Sequence, residues 1–200
     1  FPNLTNCKML QKIQGKHCKI QEIPSRALAG LEYLTKINIT HCKIESIADD
    51  AFAGTTNVQE IDLKENALQN VSCSIFSKMV FLRILKLSYN KLKIFPGVQS
   101  AEIEEIDISH NYELDNIPED ITFHPDNKLT TIKLEHTSIS KLPHEFFKNL
   151  TKLQTLKLFK TKITSVPVFY PSSQLTSLIL YQNIKLKTLP AHAFKGLDNV

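Results

Sequence analysis

Residues 34–68 decide the fold: LTKINITHCKI at 34–44 is followed at 58–68 by VQEIDLKENAL, and the two align without a gap. Leu34, Ile37, Ile39, Cys42 and Ile44 fall opposite Val58, Ile61, Leu63, Asn66 and Leu68. The spacing apolar-x-x-apolar-x-apolar-x-x-(Asn/Cys/Thr)-x-apolar starts again at Leu82, Ile103, Leu129, Leu153 and Leu175, and more loosely at Leu10. One structural unit has therefore been copied along the chain. Its apolar-x-apolar heart has period 2, the mark of a short strand with alternate side chains turned inward. A lone strand of this kind cannot bury its apolar face. Parallel stacking of neighbours closes a continuous core, with strands on one surface and connecting segments on the other.

The residue after each strand is Asn, Cys or Thr, where the chain turns with its backbone groups half paired. A buried amide or hydroxyl can bond those groups, and a Cys can stack there as a weak donor. In the connecting segments, Ile23-Pro24, Ile47, Val71, Leu142-Pro143, Val166-Pro167 and Leu189-Pro190 cover a further core layer. Aromatic elements follow at Ala51-Phe52, Phe146-Phe147 and Ala193-Phe194. Gly30, Gly54 and Gly196 share one phase of the repeat, which points to a turn of positive φ.

These residues resemble the extracellular "typical" class of leucine-rich repeat proteins, and Leu129 to Leu150 is similar to that consensus almost throughout. The resemblance implies an α/β leucine-rich repeat solenoid, with a curved parallel β-sheet on the concave face and an irregular or short-helical convex side. It covers residues 1–200 as one domain of about eight repeats. The family includes Toll-like receptors, glycoprotein hormone receptors, matrix proteoglycans and neuronal adhesion receptors, which share a fold and little else. Uneven spacing brings this chain nearer the Toll-like or hormone-receptor ectodomains. The span from Leu82 to Ile103 is short and lacks an Ala-Phe element, the next is long, and extra residues follow Asn111 and Asn183. The family's Cys-rich cap does not precede the first repeat, so the expectation is a segment of a longer protein.

Eight strands at the usual ~4.8 Å separation make a sheet roughly 38 Å across, enough for a protein ligand. The formal charge of +4 is mild and its lysines are scattered, leaving nucleic-acid binding without a basic stripe. No apolar run approaches the ~20 residues of a membrane span, so any membrane attachment is expected through other segments. Of four cysteines, Cys18 and Cys42 occupy the ladder position and read as buried thiols. Cys7 and Cys73 are open to partners elsewhere, and Cys7 with Cys18 is a further pairing if the first repeat is a vestigial cap. Sequons at Asn3, Asn38, Asn70 and Asn149 support an oxidising, extracellular setting.

Binding in a solenoid usually belongs to the outward residues of its rigid strand face. One outward column contains Asn38, Asp62, Lys86, Asp107, Lys133, Lys157 and Ile179; the next contains Thr40, Ser88, Ser109, Glu135, Phe159 and Tyr181. A third runs His17, His41, Glu65, Tyr89, His110, His136, Lys160, Gln182. The side chains at 62, 107, 133 and 157 are expected to be open. Glu60, Asp62, Glu65, Glu104, Glu105 and Asp107 read as an acidic middle. A glycan on Asn38 would obstruct the N-terminal part, which directs a ligand to Tyr89, Asp107, His110, Lys133, His136, Lys157, Phe159, Ile179 and Tyr181. Four of seven histidines share the third column, without a Cys or carboxylate to complete a metal set. Asp107, Ser109 and His110 have the residue types of a hydrolytic triad but lie along one open strand. The sequence therefore reads as a non-enzymatic module without cofactor or metal that binds a protein or peptide ligand, with homo- or heterodimerisation open. The rival reading is an adhesion, matrix or microbial surface scaffold.

Overall fold

The computed structural model of the chain describes residues 1–4, 6–170, 174–189, 191, 193–195 and 197. Its strands are β1 (Lys12–Lys16), β2 (Glu22–Ile23), β3 (Lys36–Thr40), β4 (Ser46–Ile47), β5 (Glu60–Asp62), β6 (Ile84–Lys86), β7 (Glu105–Asp107), β8 (Thr131–Lys133), β9 (Thr155–Lys157) and β10 (Ser177–Ile179). All but β2 and β4 form one eight-stranded parallel sheet in chain order, while β2 and β4 pair separately in the connecting layer. Equivalent residues meet across every pair: Ile37 opposes Ile61, Leu85 opposes Ile106, and Ile132 opposes Leu156. A one-residue slip would turn each aliphatic set outward, so the buried face fixes the register. This is the leucine-rich repeat solenoid. Among the described residues, its convex side is built of turns, the β2–β4 pair and one 3-10 helix, Cys73–Phe76.

The uneven repeats are reconciled by phenylalanines. Phe95 from the short span, Phe123 from the long one and Phe146 from the next meet edge to face, with centroids 5.4–6.4 Å apart. Phe147 and Phe169 continue this spine. Phe95 thus takes the place of the missing Ala-Phe element. Gly30 and Gly54 adopt φ of 75° and 84°, as their shared phase implies. Gly196, Pro190 and Thr5 of the Asn3 sequon lie outside the described residues.

The strand-end polar residues lock one coil to the next. Asn66 Oδ1 accepts the N–H groups of Cys42 and Ile44 in the preceding coil, at 3.1 and 3.0 Å. Its Nδ2 donates to Ile39 of that coil and to Leu63 of its own, at 2.8 and 3.0 Å. Asn90 serves Leu68 and Leu63 in the same manner, Asn111 serves Leu92 and Leu87, and Asn183 serves Thr161 and Leu158. Cys42 Sγ accepts the Cys18 N–H at 3.1 Å; burial first, and the neighbouring Cys18 side chain second, push its thiol up to about 11 against the opposing pull of that N–H. Thr137 makes one side-chain bond, to Leu134 of its own coil at 2.8 Å, and none to a neighbour among the described residues.

The Cys7–Cys18 pairing is not formed, and all four cysteines are free thiols. Cys18 turns inward over Gly15, where its Sγ would lie 2.9 Å from an added Cβ, whereas Cys7 is exposed.

The ladder predicts unequal losses on truncation. Asn111→Ala strips partners from Leu92, Leu87 and Ile108 in a buried site and should cost about 2–4 kcal/mol. Thr137→Ala should cost about 1 kcal/mol. Urea denaturation measures both, and equal losses would contradict the cross-coil role of asparagine.

Candidate functional site

Every residue of the third outward column has positive φ, from 52° at Lys160 to 59° at Gln182. The cause is local. Each of these residues follows a strand, and those from His17 to Lys160 donate their N–H to the next coil, as Tyr89 does to Ser109, His110 to Glu135 and His136 to Phe159. The chain must then reverse so that the following Asn, Cys or Thr enters the ladder. Left-handed backbone at that point performs the reversal, and His is among the residues that tolerate it better than most. The recurrence of His immediately before the ladder residue was therefore a backbone signal as well as a side-chain one.

This geometry brings rings of successive coils together. Tyr89 stacks on His110 with centroids 4.0 Å apart and planes 8° from parallel, and His110 stacks on His136 at 4.2 Å and 15°. His136 meets Phe159 edge to face at 5.4 Å, and Phe159 stacks on Tyr181 at 4.5 Å. Tyr112, carried on the extra residue after Asn111, lies edge-on to both imidazoles, with its hydroxyl 3.2 Å from His110 Nδ1. Sequence reading missed Tyr112. Tyr89, Tyr112 and Tyr181 are 49%, 63% and 57% exposed, while Phe159 and Ile179 are half-buried. The rings thus form a continuous edge along the C-terminal half of the concave face.

The inner columns are more closed than expected. Asp62 is buried, with 7% exposure, and Thr40, Ser88, Ser109 and Glu135 are buried too. Asp107, Lys133 and Lys157 are half-buried. The strands stand one ladder spacing apart, so each side chain is shaded by its neighbours on the adjacent strands. The acidic middle is also neutralised. Lys36 pairs with Glu60 at 2.7 Å, Arg83 with Glu104 at 2.9 Å, and Lys133 with Glu105 and Asp107 at 2.6 and 3.8 Å. Burial lowers the Lys133 ammonium, but the bond to Glu105 and the field of Asp107 outweigh it and hold the group above its ordinary value. Glu135 is held high by burial and by Asp107, and its Oε2 is buried with no hydrogen-bond partner.

The triad residues do not assemble for nucleophilic catalysis. Ser109 Oγ donates to Asp107 Oδ1 at 2.7 Å, while His110 is occupied by the ring stack and Tyr112. The serine hydroxyl is thus given to a carboxylate and not to an imidazole, so the Ser–His bond that activates a triad nucleophile is not made. The histidines form two separate contacts, His17 with His41 at 4.9 Å and His110 with His136.

The chain belongs to the Leucine rich repeat family, whose profile matches residues 32–92, 56–112 and 127–183. It is 30% identical over 98 residues to Tsukushi of Gallus gallus, across 48% of this chain and 27% of that protein. The aligned stretch thus spans about a quarter of that relative's length. Among solved structures, the solenoid is similar to one in the octameric complex of Latrophilin 3, Unc5D and FLRT2, with TM-score 0.78, 19% identity, and coverage of 100% of this chain and 61% of that one. It is also similar to the TLR13–ssRNA13 complex (TM-score 0.75, 20% identity, 98% and 32% covered). The Drosophila Toll–Spatzle complex gives TM-score 0.69 at 20% identity, with 96% and 29% covered. At these identities the structural likeness shows the fold alone. Leucine-rich repeat solenoids are typically interaction modules rather than enzymes.

The stacked imidazoles predict an acid-sensitive edge. Burial first, then His136 and Lys160, hold His110 below the usual 6.5 against the opposing pull of Asp107. Burial and Lys160 do the same for His136. The unfolded chain therefore takes up protons first as pH falls. The stability these residues contribute is complete above about 6.5 and is lost as pH falls through the two folded-state values. Imidazole NMR titration should place both below 6.5; titration at or above that value would contradict the stack.

Proposed function

We propose that this chain is an extracellular recognition module, part of a receptor ectodomain, which binds a protein or peptide ligand along the C-terminal half of its concave edge. The observation that carries the reading is the run of rings from Tyr89 to Tyr181, which crosses from one outward column to the next at His136 and Phe159, is exposed at its tyrosines and is bordered by Lys157 and Lys160. Exposed aromatics held rigid beside cations have the composition of a binding hot spot. Phe159 fixes Tyr181 by stacking on it, and half-buried Ile179 adds apolar surface at the end of β10. Asp107 and Lys133 serve as paired polar floor, and the unpartnered Glu135 oxygen accepts a donor from the ligand. His110 and His136 contribute ring faces. Toll with Spatzle, and FLRT2 with Unc5D and Latrophilin 3, set precedents for protein partners of this fold. Nucleic acid is disfavoured because the central lysines are already paired with carboxylates, despite the RNA held in the TLR13 complex.

A scaffold role in adhesion or matrix is the second reading, favoured by the likeness to the FLRT2 complex and the match to Tsukushi. The two separate on ligand geometry. A soluble ligand captured on the ring edge supports the receptor, while self-association or binding on the convex side supports the scaffold.

The test is a binding screen of this chain against purified extracellular proteins and ectodomains. For any binder found, the Tyr89→Ala, Tyr181→Ala double variant should weaken affinity at least about tenfold. Unchanged affinity in a folded double variant would eliminate the ring edge as the binding surface.

A further inference from the structure

On the convex side, the short span between Leu92 and Ile103 leaves a notch of about 580 Å³, lined by Val71, Cys73, Ile94, Pro96, Gly97 and Ile121 among others. Its size falls within the ~300–1,000 Å³ of ligand clefts. Gly97 forms part of its wall and leaves no room for a side chain there, since an added Cβ would lie 3.2 Å from Ile121 and 3.5 Å from Cys73. Ile94 stands 45% exposed at its edge and leaves aliphatic surface open beside the cavity. Asn70, the acceptor of the sequon Asn70-Val71-Ser72, lies on the notch's rim.

The four sequons are not equivalent in the fold. Asn38 sits within β3, half-buried, with Gln14 and Asp62 as strand neighbours on either side. Asn149 is half-buried, and its Nδ2, the atom a glycan would take, donates to the Phe123 carbonyl at 3.1 Å. The threonine of the Asn3 sequon lies outside the described residues. Asn70 is exposed and makes no side-chain hydrogen bond among the described residues. Ser72 of the same sequon caps the 3-10 helix through Ser74, which fixes the backbone two residues beyond Asn70.

We infer that Asn70 is an N-glycosylation site whose first sugars fold back over this notch, covering Ile94 and Cys73. The proposal rests on the extracellular reading above. A pyranose ring suits the surface: its C–H face packs on Val71, Ile94 and Pro96, while its hydroxyls meet the polar rim of Ser77, Gln99 and Thr122. The glycan replaces the convex layer that a longer repeat would have supplied.

The experiment is secretion of the chain from animal cells behind a heterologous leader, glycopeptide mass spectrometry, and timed alkylation of Cys73 with a maleimide. Cys7, exposed and far along the solenoid, is the internal reference. The expected result is a glycan on Asn70 and alkylation of Cys73 that is several-fold faster in Asn70→Gln, with Cys7 unchanged. A bare Asn70, whether or not Asn38 or Asn149 is occupied, overturns the proposal. Equal Cys73 rates with and without the glycan overturn its placement over the notch. Because the leader forces entry into the secretory pathway, these outcomes judge the glycan alone, and the recognition reading is decided by its own binding test.

Discussion

The structure depends on a side-chain amide that reaches across a coil boundary. Each coil ends its strand with backbone groups that the next coil's strand does not meet. Asn66, Asn90, Asn111 and Asn183 meet them instead, accepting from one coil's N–H and donating to carbonyls of two coils. Buried polar groups left without partners cost on the order of 1–3 kcal/mol each, so a stack of open coils needs such a residue at every boundary or a substitute for it. Cys42 is a substitute, taking one N–H with its sulfur. Thr137 is a weaker one, and there a cross-coil bond from Ser138 to the Leu114 carbonyl carries the connection.

From this lock follows the surface. Bringing the asparagine inward requires the preceding residue to turn left-handed, and that residue's side chain is thrown to the edge of the concave face. Repetition then aligns those side chains at the spacing of the coils. Tyr89, His110 and His136 stack there, while His17 and His41 meet edge to face. The Tyr89, His110 and His136 part of the ring edge is therefore a by-product of the backbone solution, joined by Phe159 and Tyr181 from the neighbouring column, and its fixed backbone gives a ligand surface little conformational freedom to lose.

The solenoid, its parallel sheet and its core were legible because they depend on periodicity, and aliphatic residues at Ile37, Ile61 and Leu85 leave one register. The ladder role of Asn66 and Cys42 was also legible from position and chemistry. Openness was not: Asp62 and Glu135 alternate as outward residues should, yet shading by the adjacent strands buries them. The pairing of Lys133 with Glu105 depends on long side chains crossing between columns, which a column-by-column reading does not capture. Tyr112 escaped notice because it stands on an inserted residue outside the repeat, and Phe95 because it fills a gap from an unexpected phase.

Native-state amide hydrogen exchange at Ile44, Leu68 and Leu92 tests the central claim most directly. The bonds seen for these three N–H groups are to the side-chain oxygens of Asn66, Asn90 and Asn111. If the side-chain ladder binds the coils, these amides exchange as slowly as those inside the central strands. Fast exchange at all three, with the strand amides still protected, would show that the coils are held together without it.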